Sequence, residues 1–204
     1  EERGSRFDKE PTPLSALQAA TTHPRFVLLG HPGSGKSSFA QRLTGWLARA
    51  ALKEGDLPPD WPPLLPLFVR LRDLTPALKR LDLPATLSSE ERNRRLAQTI
   101  LAHWQHSLAQ QWRVPELKTE IERWLEDGRA FLVFDGLDEV PEDVRLRAVE
   151  AVQAVAQLYR DCQRLLVTCR INSYTGLSRL SGFHDETLAS FSKKKIHTFV
   201  DAWY

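Results

Sequence analysis

Residues 30–37 read Gly-His-Pro-Gly-Ser-Gly-Lys-Ser, which fits the pattern G-x-x-x-x-G-K-[ST]. The apolar run Phe-Val-Leu-Leu at residues 26–29 predicts a buried strand before it, and residues 38–43 follow with helical spacing. In the order strand, glycine-rich loop and helix, the glycines let successive backbone N–H groups surround an anion. The stretch therefore predicts an α/β fold with a phosphate-binding loop. A glycine-rich turn without a ligand is the alternative.

Two side chains of this loop carry specific chemistry. Lys36 is expected to reach the β- and γ-phosphates of a nucleotide, and the Ser37 hydroxyl is expected to ligate Mg²⁺. The predicted nucleotide-binding residues are Gly30, His31, Pro32, Gly33, Ser34, Gly35, Lys36, Ser37 and Ser38.

A second motif follows another apolar run. Residues 130–134 predict a strand that ends at Asp135, which is the Walker B pattern. Because the carboxyl ends of parallel strands share one edge of a sheet, we expect Asp135 to hold Mg²⁺ opposite Ser37, directly or through water. Asp138 or Glu139 would orient or deprotonate the attacking water, and the sequence does not rank the two. An acidic surface turn that caps the next helix is the alternative.

A third candidate follows the strand predicted at residues 165–169. Arg170 would emerge at the same edge of the sheet as the glycine-rich loop. A guanidinium there can sense the γ-phosphate and stabilise departing negative charge. A solvated arginine after a strand is the alternative interpretation.

The composition is ordinary for one globular α/β domain: 204 residues, 42% hydrophobic and 26% charged. A formal net charge of +2 gives no argument for a nucleic-acid or membrane partner. No apolar run approaches the roughly 18 residues of a membrane span, and no signal peptide is visible, so we expect a cytoplasmic protein. The cysteines, Cys162 and Cys169, lack metal-type spacing; a disulfide is possible, but reduced thiols are the simpler expectation.

The remaining pattern alternates strands and helices. Residues 64–71 predict a second buried strand, and Thr187 and Leu188 suggest a short fifth one. Residues 74–87 contain two prolines and are expected to be irregular, whereas Ser-Ser-Glu-Glu at 88–91 is typical of a helix start. This alternation favours a parallel sheet with helices on both faces.

Together, residues 30–38, 132–140 and 166–170 resemble the NACHT NTPase domain, of the STAND class of signal-transducing P-loop ATPases. The most specific part is Asp-Gly-Leu-Asp-Glu at 135–139, since a small residue after the aspartate and then an acidic pair looks like NACHT rather than AAA+ or ABC. Residues 65–74 are similar to the segment around the second strand of bacterial NACHT proteins. The resemblance covers nearly the whole chain.

The resemblance implies a three-layer α/β/α sandwich of the P-loop NTPase type, with a mostly parallel five-stranded sheet. The sheet would be of the additional-strand type, with another strand between the P-loop strand and the Walker B strand. It also implies ATP or ADP, Mg²⁺, and a nucleotide-controlled switch between a closed monomer and an oligomer. By matching position, it implies phosphate and metal binding by Lys36 and Ser37, Mg²⁺ binding by Asp135, water positioning by Asp138 and Glu139, and a sensor arginine at Arg170.

We expect a lead-in segment at 1–25, the NTPase core at 26–190, and the start of a truncated helical domain at 191–204, with a helix capped by Ser192. The chain lacks methionine and is interpreted as a piece of a larger protein. Protein partners and self-association would then involve domains outside this chain.

The sequence favours a slowly hydrolysing ATPase that acts as a regulatory switch in signalling or defence. ATP is preferred to GTP because the Asn-Lys-x-Asp guanine motif is absent. A non-catalytic nucleotide-binding scaffold is the first alternative. A small-molecule kinase is the second; Arg92, Arg94 and Arg95 are candidates for its arginine-rich lid, although a solvated helix face explains them more simply.

Overall fold

One parallel sheet organises the part of the chain that the computed structural model describes, which is residues 15–55, 61–111, 113–114, 117–162 and 164–189. Its strands are β1 (Arg25–Gly30), β2 (Leu65–Arg70), β3 (Ala130–Asp135), β4 (Arg164–Arg170) and β5 (His184–Thr187). The strand order is β2-β3-β4-β1-β5, and every pairing is parallel. Because β4 lies between β1 and β3, the expected additional-strand topology is confirmed. The sheet is parallel throughout, where a mostly parallel one was expected.

Helices cover both faces of this sheet. They are α1 (Ala16–Thr22), α2 (Lys36–Ala51), α3 (Thr75–Arg80), α4 (Ser89–Gln111), α5 (Leu117–Glu126) and α6 (Glu142–Leu158). Successive residues of β1 point to opposite faces, so Phe26 packs with α1 and α2 whereas Val27 packs with α4, α5 and α6. One apolar cluster lies on each face of the sheet, between the sheet and its helices, so the fold has three layers.

The start of α4 shows how local chemistry sets an element. The Ser88 hydroxyl accepts a hydrogen bond from the Glu91 backbone N–H at 3.1 Å, which satisfies one of the free donors of the first turn. Glu90 and Glu91 add negative charge at the positive end of the helix. The helix start expected at this position is thereby confirmed.

The expectation of irregular structure over residues 74–87 is wrong in its first half. A short 3-10 turn, Leu71–Leu74, runs directly into α3, and Leu78 of α3 is fully buried. Pro76 lies in the first turn of α3, where its missing N–H would have no intrahelical partner and its fixed φ suits the helix. The proline therefore begins a helix here instead of interrupting one.

The fifth strand starts earlier than the sequence suggested. β5 reads His-Asp-Glu-Thr and lies at the edge of the sheet, beside β1. Because this strand is polar, it lacks the apolar run from which the other strands were predicted. The predicted helix at Ser192 and the segment 191–204 fall outside the described residues.

Candidate functional site

The loop between β1 and α2 is organised around a lysine. Lys36 is the first residue of α2, and its Nζ donates hydrogen bonds to the backbone carbonyl oxygens of Gly30 at 3.1 Å and His31 at 3.0 Å. The loop backbone therefore surrounds the Lys36 ammonium group. This places the ammonium group inside the loop that is predicted to bind phosphate.

Two glycines give this loop its path. Gly33 has a φ of +74° and Gly35 a φ of +90°, a region that glycine occupies without steric cost. Apart from the adjacent residues, no described atom lies within 4 Å of a Cβ placed at either glycine, so the backbone conformation and not a lack of space requires them. The loop residues 33–38 line a cavity of about 210 Å³ at the amino end of α2, where free N–H groups and the helix dipole favour an anion.

The carboxylate at the end of β3 is held by a threonine of β4. The Thr168 hydroxyl donates a hydrogen bond of 2.6 Å to Asp135 Oδ1 and accepts one of 2.8 Å from the Gly136 backbone N–H. Asp135 is only 5% exposed, so this contact fixes the direction of a buried carboxylate. The sequence interpretation gave Thr168 no role. Its signal was a polar residue inside the otherwise apolar buried stretch of β4.

The two acidic residues that the sequence left unranked have different surroundings. Asp138 accepts from the Arg170 backbone N–H at 3.0 Å and from Arg170 Nε at 2.8 Å, and its side chain is 8% exposed. Glu139 is 39% exposed and accepts from Arg72 Nη1 at 3.0 Å. Asp138 is therefore occupied in holding Arg170, while Glu139 makes a single ion pair at the surface.

The backbone after β3 also shapes this part of the site. Gly136 has a φ of +78°, and a Cβ there would lie 3.1 Å from the Glu139 carboxyl carbon. A glycine directly after Asp135 therefore serves both the turn and the position of Glu139. Arg72, which follows β2 in the 3-10 turn, was also missed by the sequence interpretation, because its partner lies far away along the chain.

A second cavity, of about 140 Å³, brings these elements together. It is lined by Pro32, Gly33, Lys36, Ser37, Gly136, Asp138, Glu139, Thr168 and Arg170. Asp135 does not line it but precedes Gly136, which does. Ser34, Gly35 and Ser38 line only the adjacent loop cavity, whereas Gly30 and His31 contribute their carbonyl oxygens to Lys36. The predicted residues thus gather at one edge of the sheet, from three separate segments.

A buried cysteine lies close to this site. Burial, reinforced by the nearby Asp138, raises the pKa of Cys169 to about 12. Both cysteines are buried free thiols, as the simpler expectation held. A protonated buried thiol is a poor nucleophile, so we assign Cys169 a packing role in the sheet.

The groups at the site fit a magnesium-bound nucleotide. The Ser37 hydroxyl and the Asp135 carboxylate are the hard oxygen donors that Mg²⁺ prefers, and Thr168 occupies only Oδ1 of that carboxylate. Lys36 and the amino end of α2 supply positive charge for phosphates.

A parallel sheet of this order, with a glycine-rich loop after β1 and an acidic turn after β3, defines a P-loop NTPase. The family model described as the NACHT domain matches residues 25–204, so the chain belongs to the NACHT domain family. A search of curated proteins returns no match for the chain. The chain is thus a nucleotide-binding regulatory module of the P-loop NTPase class. Within the described ranges, no helix has the length and hydropathy needed to cross a bilayer.

Proposed function

We propose that this chain binds ATP with Mg²⁺ and hydrolyses it slowly, as the switch domain of a larger cytoplasmic signalling or defence protein. Nucleotide state would control its conformation and its self-association in the full-length protein. The observation that carries this proposal is the cavity where Lys36 and Ser37, Asp138 and Glu139, and Arg170 meet from three segments. Phosphate-binding and water-orienting groups share that space.

The proposed roles follow from the contacts. Lys36 would exchange the carbonyl oxygens of its own loop for phosphate oxygens, because a charged acceptor makes the stronger hydrogen bond. Ser37 and Asp135 would hold Mg²⁺, which neutralises phosphate charge when bound. Glu139 would orient the attacking water, because it lines the cavity and only one arginine holds it. Asp138 would act as a positioning residue for Arg170.

Slow turnover is consistent with this arrangement. Glu139 must leave Arg72 before it can take a water molecule. A partly exposed ion pair is worth about 1 kcal/mol at most, which corresponds to roughly a fivefold effect on rate. The Arg72–Glu139 pair would therefore slow hydrolysis without preventing it.

The kinase alternative receives no support from the arginines of α4. Each of them is already paired with a carboxylate: Arg92 with Glu150, Arg94 with Glu90 and Glu91, and Arg95 with Glu91. A mobile lid needs arginines that are free to move onto a phosphate. Arg92 pairs across to α6, and Arg94 and Arg95 pair with carboxylates of α4 itself.

The proposal is tested by thermal unfolding and phosphate release with ATP, ADP and GTP, each with and without Mg²⁺. We expect adenine nucleotides to raise the unfolding midpoint, Lys36→Ala to abolish the rise, and Lys79→Ala to leave it intact. Lys79 is a matched control because it pairs with Asp143 at the surface, outside the cavity. Nucleotide binding without phosphate release would favour the scaffold alternative, and no response to any nucleotide would contradict the proposal.

A further inference from the structure

A second group of ligating side chains lies at the other end of the sheet. The Nε2 atoms of His23 and His184 are 3.3 Å and 3.2 Å from the same oxygen, Oε1 of Glu186. One ligand atom from each of the three residues lies within 4.8 Å of the other two. Two imidazoles and one carboxylate thus converge on a single point.

The fold brings these residues together through backbone that is fixed by the sheet. His184 and Glu186 are alternate residues of β5, so they share one face of that strand. His23 caps the carboxyl end of α1 and begins the short connection to β1. Strand β5 pairs with β1 so that His184 lies opposite Phe26. The cluster is therefore at the amino end of β1, and Gly30 is about 13 Å away at roughly 3.3 Å per residue.

We propose that His23, His184 and Glu186 bind a divalent transition-metal ion of the Zn²⁺ class. Imidazole nitrogen and carboxylate oxygen are ligands that Zn²⁺ accepts readily, whereas Mg²⁺ selects oxygen ligands alone. Bonds of about 2.0–2.1 Å in a tetrahedral site place ligand atoms about 3.3 Å apart. The two measured nitrogen–oxygen distances match that separation.

Binding requires one adjustment of the side chains. The two imidazole rings are stacked, with centroids 3.7 Å apart and an angle of 11° between their planes. Because a nitrogen lone pair lies in the plane of its ring, the rings must turn apart until both planes meet at the ion. The His184 side chain is 52% exposed, so its ring can turn with little loss of packing.

Space for a further ligand adjoins the cluster. An open cavity of about 440 Å³ is lined by His23, Pro24, Arg25, Gly182 and His184. Water would complete a four-coordinate site from that side. With ligands on β5 and before β1, the ion would connect the edge strand to the segment that leads into the sheet. Zinc is therefore expected to stabilise the fold, independently of any nucleotide.

The test is calorimetric titration of the untagged chain with ZnCl₂, after treatment with EDTA and dialysis. We expect one Zn²⁺ per chain and no competition from MgCl₂. His23→Gln and His184→Gln should each lower the Zn²⁺ affinity at least tenfold. His106→Gln is the matched control, because it removes an exposed histidine from α4, and Lys36→Ala should also leave zinc binding unchanged.

Visible absorption of the Co²⁺-loaded chain provides a second readout, since tetrahedral Co²⁺ absorbs far more strongly than the hydrated ion. We expect the bands to be lost in Glu186→Gln. Circular dichroism without metal establishes that each variant folds; if His184→Gln does not, His23→Gln and Glu186→Gln carry the test. The proposal is overturned if the parent chain binds no Zn²⁺, if His106→Gln weakens binding as much as His184→Gln does, or if no ligand variant weakens it.

Discussion

At the scale of single residues, Thr168 is the side chain that holds the Asp135 carboxylate in place. Thr168→Val would leave the Gly136 N–H without its acceptor and the buried Asp135 carboxylate without its donor. A buried polar group left unsatisfied costs about 1–3 kcal/mol, so we expect a loss of that size in the free energy of unfolding. Urea denaturation measures it. Thr187→Val on β5 is the control, because Thr187 is exposed, and equal losses in both variants would contradict the assignment.

Glu139 and Asp138 are expected to behave differently when each is changed to its amide. Glu139→Gln should lower phosphate release about 100-fold or more, the usual worth of a positioned base, while ATP still raises the unfolding midpoint. Asp138→Asn should retain more activity, because its role is to hold Arg170. Single-turnover phosphate release compares the two variants. A larger loss in Asp138→Asn would reverse their proposed roles.

Arg72→Ala tests the restraint on Glu139. The substitution removes the ion pair at 3.0 Å and frees the carboxylate, so we expect turnover to rise by up to about fivefold. Arg80→Ala, at the exposed end of α3, is the control. Turnover that falls in Arg72→Ala would show instead that Arg72 supports the reaction.

At the scale of elements, the start of α4 offers a direct measurement. Ser88→Ala removes the hydroxyl that accepts the Glu91 N–H, and we expect a loss of about 1 kcal/mol in the free energy of unfolding. Ser89→Ala changes an exposed residue within the first turn and should cost much less, because alanine suits a helix. If Ser89→Ala proved the more costly change, the cap would be assigned to the wrong serine.

The elements also show which parts of the molecule a sequence can predict. The β1–loop–α2 unit and the acidic end of β3 were predicted because each motif consists of residues that are adjacent in the sequence. Two contacts between distant segments were not predicted. Arg72 and Glu139 are 67 positions apart in the sequence, and Thr168 and Asp135 are 33 positions apart. Strand order came from family resemblance, since apolar runs do not specify their neighbours. The helix α3 was missed because a proline that can begin a helix was interpreted as a breaker.

At the scale of the whole molecule, His103 makes stability depend on pH. Burial lowers its pKa below 6.5, the neighbouring Asp73 opposes this shift, and His106 adds to it. The unfolded chain therefore binds a proton at His103 more readily than the folded chain does. The free energy of unfolding is consequently at its full value above pH 6.5 and decreases as the pH falls through the lower folded pKa of His103. We expect His103→Gln to lose less stability than the parent chain between pH 7.5 and 5.5, as measured by urea denaturation. Equal losses would contradict it.

The position of β4 has a consequence for synthesis. β1 pairs with β4 and β5, so Phe26 finds its partner only when Leu166 has been made. At about 5–20 residues per second, the nascent chain presents an unpaired apolar strand for on the order of ten seconds. The sheet cannot form completely until β4 has been synthesised. Pairing between segments far apart in the sequence slows folding and favours aggregation of the unpaired chain. The strand order that gathers the site segments at one edge of the sheet therefore also delays the pairing of β1 until late in synthesis.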